Sequence, residues 1–128
     1  MLFRSIVLIR SLHPPKNIVL ELIRHQATIL PAVPQFFRAL AGAGMKEGLP
    51  LRICVSGGAP LPVEILREFE ATMAIPLIEG YGLSEASPVV SMNPIHGQRK
   101  AGSIGLPVSD VAMAVWRSEE RRVGKECA

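Results

Sequence analysis

Arg52-Ile53-Cys54-Val55-Ser56, then Gly57-Gly58-Ala59-Pro60-Leu61, then Pro62-Val63-Glu64-Ile65-Leu66-Arg67-Glu68-Phe69-Glu70-Ala71-Thr72-Met73, then Pro76-Leu77-Ile78, is the stretch that decides the fold. Arg52–Ser56, apolar from Ile53 to Val55 with β-branched members, reads as a buried strand. Gly57–Pro60 is a turn. Pro62 opens a helix whose Ile65, Leu66, Phe69 and Met73 recur on one face, with Glu64, Arg67, Glu68 and Glu70 expected to face water. Pro76–Ile78 is a second buried strand. Strand, helix and strand in that order make a βαβ unit, hence parallel neighbours in one sheet.

The same alternation continues upstream. Ser5–Ile9 reads as a buried strand, and Lys16–Gln26 as a helix burying Ile18, Val19, Leu22 and Ile23 while Glu21, Arg24 and His25 point away. Ala27–Leu30 reads as a strand closed by Pro31. Pro34 starts a helix through Phe36, Phe37 and Leu40 that Gly42 and Gly44 stop. Downstream, the pieces shorten: Val89–Ser91, a Gly102–Gly105 turn, and Val111–Val115 with partial alternation. The predicted class is α/β: a partial, mainly parallel βαβ sheet layer passing into a smaller mixed or antiparallel sheet at the C-terminal end.

Composition excludes several classes. At 48% hydrophobic and 20% charged, the chain of 128 residues has the apolar content for a core and is not a disordered segment. Its net charge is +3, and Arg4, Arg10, Lys16, Arg24, Arg38 and Arg52 arrive singly; apart from the dense charged run Arg117–Glu126 there is no basic stripe with interleaved aromatics of the kind a nucleic-acid surface needs. Arg4 and Arg10 interrupt the apolar start, which is far short of the ~20 residues that span a bilayer. Cys54 and Cys127 make neither a disulfide framework nor a metal-site spacing, and Cys54 reads as an inert buried thiol in a reducing compartment. His13, His25 and His96 read as surface residues.

The last twelve residues, Arg117–Ala128, resemble the in-frame translation of a short-read sequencing adapter joined to a truncated reading frame. A solvated, charged helix end is the plainer alternative. On the first reading residues 1–116 are the protein sequence and 117–128 a foreign tail. Residues 1–116 hold ten Lys/Arg and eight Asp/Glu, a net charge of +2.

In a parallel sheet, ligands bind outside the carboxyl ends of the strands. Two glycine-bearing segments are expected there: Gly57-Gly58 after one strand and Gly80–Glu85 after the next. In Glu79-Gly80-Tyr81-Gly82-Leu83-Ser84-Glu85, glycines allow close backbone approach, the tyrosine offers a flat face, Ser84 a hydroxyl donor and Glu85 a hard oxygen for magnesium. From chemistry alone, a tight turn with a packed tyrosine and a solvated glutamate is the stronger reading. Neither a Gly-x-x-x-x-Gly-Lys-Ser/Thr loop nor a Gly-x-Gly-x-x-Gly fingerprint occurs.

Four segments in order resemble the adenylate-forming superfamily of acyl-CoA synthetases, luciferases and peptide-synthetase adenylation domains. They are Ala27–Pro34, Ser56-Gly57-Gly58-Ala59-Pro60-Leu61, Glu79–Glu85, and Gly102-Ser103-Ile104-Gly105-Leu106-Pro107. The resemblance covers essentially all of residues 1–116, as part of the large N-terminal domain. It implies that Gly57, Gly58, Ala59 and Pro60 lie along adenine and ribose, and that Tyr81 stacks on adenine with the Gly80 backbone facing its amino group. Ser84, where the family usually has threonine, would contact the α-phosphate, and Glu85 would help hold Mg2+. Val33, Pro34 and Gly82 would border the acyl pocket, with Ala32 standing where glycine is usual.

The resemblance also implies the reaction: a carboxylate attacks the α-phosphate of ATP, pyrophosphate leaves, and coenzyme A displaces AMP from the acyl-adenylate. The Gly-Gly-Ala-Pro-Leu and Gly-Leu-Ser-Glu-Ala-Ser forms look more like fatty-acyl–CoA ligases than peptide-synthetase domains. A cytoplasmic enzyme acting on a small carboxylate is implied, with peripheral membrane association open for the parent. The family's lysine-bearing phosphate loop, ribose-binding aspartate and C-terminal catalytic lysine have no counterpart here, so these 128 residues are expected to be inactive alone. A non-catalytic, truncated nucleotide-binding module is the alternative from another class.

Overall fold

The computed structural model describes residues 5–9, 14–44 and 48–115. Its elements are α1 (Pro15–Arg24), β1 (Ile29–Ala32), α2 (Pro34–Gly42), β2 (Ile53–Ser56), α3 (Val63–Met73), β3 (Leu77–Gly82), a short 3-10 turn (Ser84–Ala86), β4 (Val89–Met92) and β5 (Leu106–Pro107). The strands form one sheet in the order β1-β2-β3-β4-β5. β1, β2 and β3 pair in parallel, whereas β4 and β5 are antiparallel additions. The expected parallel layer and the smaller antiparallel part are therefore present, joined through β3.

The helices form for the reasons their sequences suggest. Prolines open α1 and α2, where a missing N–H costs nothing. Each helix buries one stripe: Ile18, Val19 and Leu22 from α1, Phe37 and Leu40 from α2, Ile65, Phe69 and Met73 from α3. These pack with Leu30, Cys54 and Leu77 of the sheet into one hydrophobic core. Phe37 meets Phe69 edge-on at 5.3 Å, pinning α2 against α3.

Several sequence expectations need correction. Ser5–Ile9 is not a strand, and Ile6 and Leu8 are 89% and 87% exposed. An apolar run becomes a strand only when another backbone supplies its hydrogen-bond ladder, and none of the described strands pairs with it. Pro31 does not close β1 but lies inside it. The carbonyls of Thr28 and Ala32 accept from Arg52 and Gly57 on the β2 side. Pro31 therefore turns its backbone to the open edge, where it disrupts no ladder.

Val111–Val115 is irregular, although its composition suggested a strand. Glu70 is only partly open to water: its carboxylate accepts the Leu77 N–H at 2.9 Å and pairs with Arg99 at 2.6 Å. β3 runs on through Gly80, Tyr81 and Gly82 instead of ending before them, because β4 returns alongside. His25 and His96 are exposed as expected, and His25 lies 3.2 Å from Glu21. His13, Cys127 and the tail Arg117–Ala128 lie outside the described residues.

Candidate functional site

Parallel pairing points the carboxyl ends of β1 and β2 the same way, and the segments leaving them meet the second half of β3. The Gly57 N–H donates to the Ala32 carbonyl at 3.1 Å, fastening the start of the glycine turn to β1. A Cβ placed on Gly57 would stand 3.6 Å from the Gly80 carbonyl oxygen. One placed on Gly58 would stand 3.7 Å from Val33 Cγ1. Gly58 also holds φ +76°, a conformation that favours glycine. The turn thus has Val33 on one side and the Gly80 backbone on the other. Of the remaining residues named from the sequence, Ala59 and Pro60 are exposed, and Pro34 is buried at the start of α2.

Beyond Gly80 the strand loosens. The β3–β4 register shifts between Tyr81 and Gly82, and the Tyr81 side chain is 45% exposed, leaving its ring open for a planar partner. The Leu83 N–H donates to the Pro88 carbonyl at 2.8 Å, closing a loop that carries the 3-10 turn. Ser84 and Glu85 are exposed on that loop. Among the described residues no hydrogen bond or ion pair engages either side chain. One free hydroxyl sits beside one free carboxylate.

That donor set suits a particular kind of ion. The described residues contain no group of three or more His, Cys, Asp or Glu side chains placed to hold a metal. Magnesium, however, is commonly held by one or two carboxylates with phosphates and water completing its shell. Glu85 fits that partial role and would not fit a closed protein cage. Cys54 takes no part: burial pushes its thiol up to about 12, which keeps it protonated and unreactive.

Three polar residues that frame the site were given no role from the sequence, although Glu79 opens the quoted Glu79–Glu85 segment. Glu79 is buried, and its carboxylate accepts the Leu61 N–H at 2.9 Å. Ser91, buried on β4, and Asn93, buried directly after it, hold the turn leading to β5. Asn93 Nδ2 donates to the Ser103 carbonyl, and Ser91 Oγ donates to the Ile104 carbonyl at 2.9 Å. The available signal was a charged residue directly after the apolar pair Leu77-Ile78, and polar residues two apart at the end of a short strand and just beyond it. Ser56 Oγ is buried without a hydrogen-bond partner among the described residues.

The glycine turn and the Ser84–Glu85 loop thus lie at the carboxyl ends of parallel strands, where α/β sheets place ligands, and comparison with known proteins gives the class. The AMP-binding enzyme family model matches residues 4–127. The chain belongs to that family. It is 39% identical over 99 residues to a long-chain-fatty-acid–CoA ligase of Bacillus subtilis, covering 75% of this chain and 18% of that protein. The structure resembles the anthranilate CoA ligase AuaEII in complex with anthranoyl-AMP, with TM-score 0.67, 26% identity, and coverage of 75% of this chain and 19% of that one. It also resembles ATP-bound MatB from Rhodopseudomonas palustris, with TM-score 0.63, 32% identity, and coverage of 73% and 18%. The chain spans about a fifth of the length of the curated relatives it matches.

Proposed function

We propose that this chain is a slice of an ATP-dependent acyl-CoA synthetase, with residues 1–116 forming part of its nucleotide site and 117–128 a foreign tail. The observation that carries the reading is the meeting of the Gly57-Gly58 turn with the Gly80 backbone beside Val33, next to a loop that exposes the Ser84 and Glu85 side chains. In this reading adenine and ribose lie along Gly57, Gly58, Ala59 and Pro60, with the Tyr81 ring against the base. Ser84 donates to the α-phosphate, and Glu85 supplies one oxygen to Mg2+. Val33, Pro34 and Gly82 border the acyl group.

The reaction that suits these parts joins a carboxylate, probed first with fatty acids, to the α-phosphorus of ATP with loss of pyrophosphate. Coenzyme A sulfur then displaces AMP. Both steps place extra negative charge on phosphate oxygens, which a hydroxyl donor and a metal ion stabilise. The similarity to a long-chain-fatty-acid–CoA ligase, to an anthranilate CoA ligase holding anthranoyl-AMP and to ATP-bound MatB supports this chemistry. The lysines and the aspartate that the family uses elsewhere are not among these residues, so the chain alone is expected to bind nucleotide without turnover.

Amide hydrogen exchange with and without Mg2+-ATP tests the reading. Protection is expected at 57–60 and 80–85 together. Glu85→Gln should weaken Mg2+-ATP binding about tenfold, leave AMP binding unchanged, and alter stability by less than about 0.5 kcal/mol, as for an exposed side chain. Exchange unchanged by nucleotide at both segments would sink the proposal. Pyrophosphate exchange catalysed by the isolated 128 residues would overturn the expected inactivity.

A further inference from the structure

Glu79 is the one ionisable side chain among the buried polar residues described, at 8% exposure. A carboxylate taken out of water is costly unless its oxygens are matched by donors or nearby cations. Here Oε1 accepts the Leu61 N–H at 2.9 Å. Glu79 also lines a cavity of about 340 Å³ with Glu70, Asn93, Arg99 and Lys100. Its backbone is equally engaged: the Glu79 carbonyl accepts the Asn93 N–H at 2.9 Å. Glu79 is the last β3 residue in parallel register with β2, opposite Ser56, and Gly80 is the first to pair with β4.

Leu61 closes the glycine turn. The turn's first amide, Gly57 N–H, is held by the Ala32 carbonyl of β1, and the amide after its last residue, Leu61 N–H, is held by Glu79 of β3. Between these two clamps stand only Gly57, Gly58, Ala59 and Pro60, and the last three are exposed. A glycine-rich stretch has little conformational preference of its own, so anchors at its ends decide where its backbone stands. A charge-assisted bond from a side chain on the neighbouring strand is a stiff anchor. It also ties the turn to the residue directly before Gly80, across the crevice.

We propose that Glu79 is a positioning residue for nucleotide: by holding the Leu61 amide it sets the 57–60 turn at its working distance from the Gly80–Tyr81 backbone. The inference rests on the nucleotide reading above and adds a residue that touches no ligand. A leucine at this position keeps a comparable volume but cannot accept the Leu61 N–H, and so releases one end of the turn.

The test uses the 128-residue chain, with AMP and Mg2+-ATP as probes and Leu61 as a reporter. In Glu79→Leu, the Leu61 amide should exchange at least tenfold faster, and AMP affinity should fall about tenfold. Glu79→Gln keeps an oxygen acceptor and should restore AMP affinity to within about threefold of wild type. Its Leu61 amide proton resonance should move upfield, because the acceptor has lost its charge. Should Glu79→Leu fail to fold, this resonance decides: an unchanged Leu61 shift in Glu79→Gln overturns the tether. Equal damage by Gln and Leu, or AMP affinity unaffected by Leu, overturns the positioning role. Wild-type chain that binds neither probe defeats the nucleotide reading itself, and the Leu61 resonance then still reports whether the tether exists.

Discussion

Gly82 and the carbonyl of Pro88 share one small volume: a Cβ on Gly82 would fall upon that oxygen, which also accepts the Leu83 N–H at 2.8 Å. The shift in β3–β4 register lies at the same place, between Tyr81 and Gly82. The loop carrying Ser84 and Glu85 therefore leaves β3 through a gap that admits only a hydrogen. Close approach, and no special dihedral angle, is what demands glycine here.

Gly82→Ala should accordingly force β3 and the 83–88 loop apart. Overpacking of this kind costs about 1–3 kcal/mol. A urea titration should show a lower midpoint at unchanged slope, and nucleotide-dependent protection of 80–85 should weaken. An unchanged midpoint would mean that the loop moves freely and does not hold Ser84 and Glu85 in place.

Ala74 caps α3 with φ +54°, in the left-handed region, where its N–H donates to the Glu70 carbonyl at 3.0 Å. An L-residue with a Cβ is strained there by about 1–2 kcal/mol, and glycine is not. Ala74→Gly should therefore stabilise the chain by about 1 kcal/mol, even though glycine is the more flexible residue when unfolded. Thermal or chemical unfolding checks the sign, and a destabilised variant would refute the cap geometry.

Glu70 Oε1 has two partners, the Leu77 N–H at 2.9 Å and Arg99 Nη1 at 2.6 Å. The two side chains are 31% and 34% exposed, so solvent screens their attraction and the ion pair contributes less than about 1 kcal/mol. The bond to Leu77, a residue 1% exposed at the start of β3, counts for more. Glu70→Ala is expected to cost about 1–2 kcal/mol and Arg99→Ala less than half of that. Only the latter loss should vanish in high salt. Equal losses from both variants would make the ion pair the main contact.

Cys54 is wholly buried, and burial raises its pKa from 9.0 to about 12. In the unfolded chain the thiol ionises near its ordinary value, whereas in the fold it stays protonated. Between about pH 9 and pH 12 the unfolded state thus binds fewer protons, and stability falls as pH rises. Peptide-mapped alkylation at pH 8 should leave Cys54 unmodified in the native chain and modify it readily in urea. In Cys54→Ala the loss of stability between pH 9 and pH 11 should shrink, and an identical pH profile would show that Cys54 is not its source.

Much of the architecture was legible because helical periodicity is a local signal. Ile18, Val19 and Leu22, and again Ile65, Phe69 and Met73, repeat at the spacing of one helix face and are buried as that spacing requires. The candidate segments were legible too, since glycine beside a strand end is local. Glu79 was not. From sequence it reads as a charged residue ahead of a glycine turn, and only the arrival of Leu61, 18 residues earlier in the chain, gives its carboxylate a partner.

The sequence by itself determined the βαβ order, the buried helix stripes, and the glycine, hydroxyl and carboxylate chemistry of Gly57–Pro60 and Gly80–Glu85. Tertiary structure alone decided which apolar runs became strands. Ile53–Ser56 and Leu77–Gly82 find backbone partners, while Ser5–Ile9 and Val111–Val115, equally apolar, find none among the described residues. It also decided that Gly57 faces Gly80, that Pro88 fills the space beside Gly82, and that Glu79 anchors the turn. The physical reason is range. Dihedral preference and hydrophobic spacing are written within a few residues, but a hydrogen-bond ladder, a close approach or a buried carboxylate needs a partner that only folding brings near.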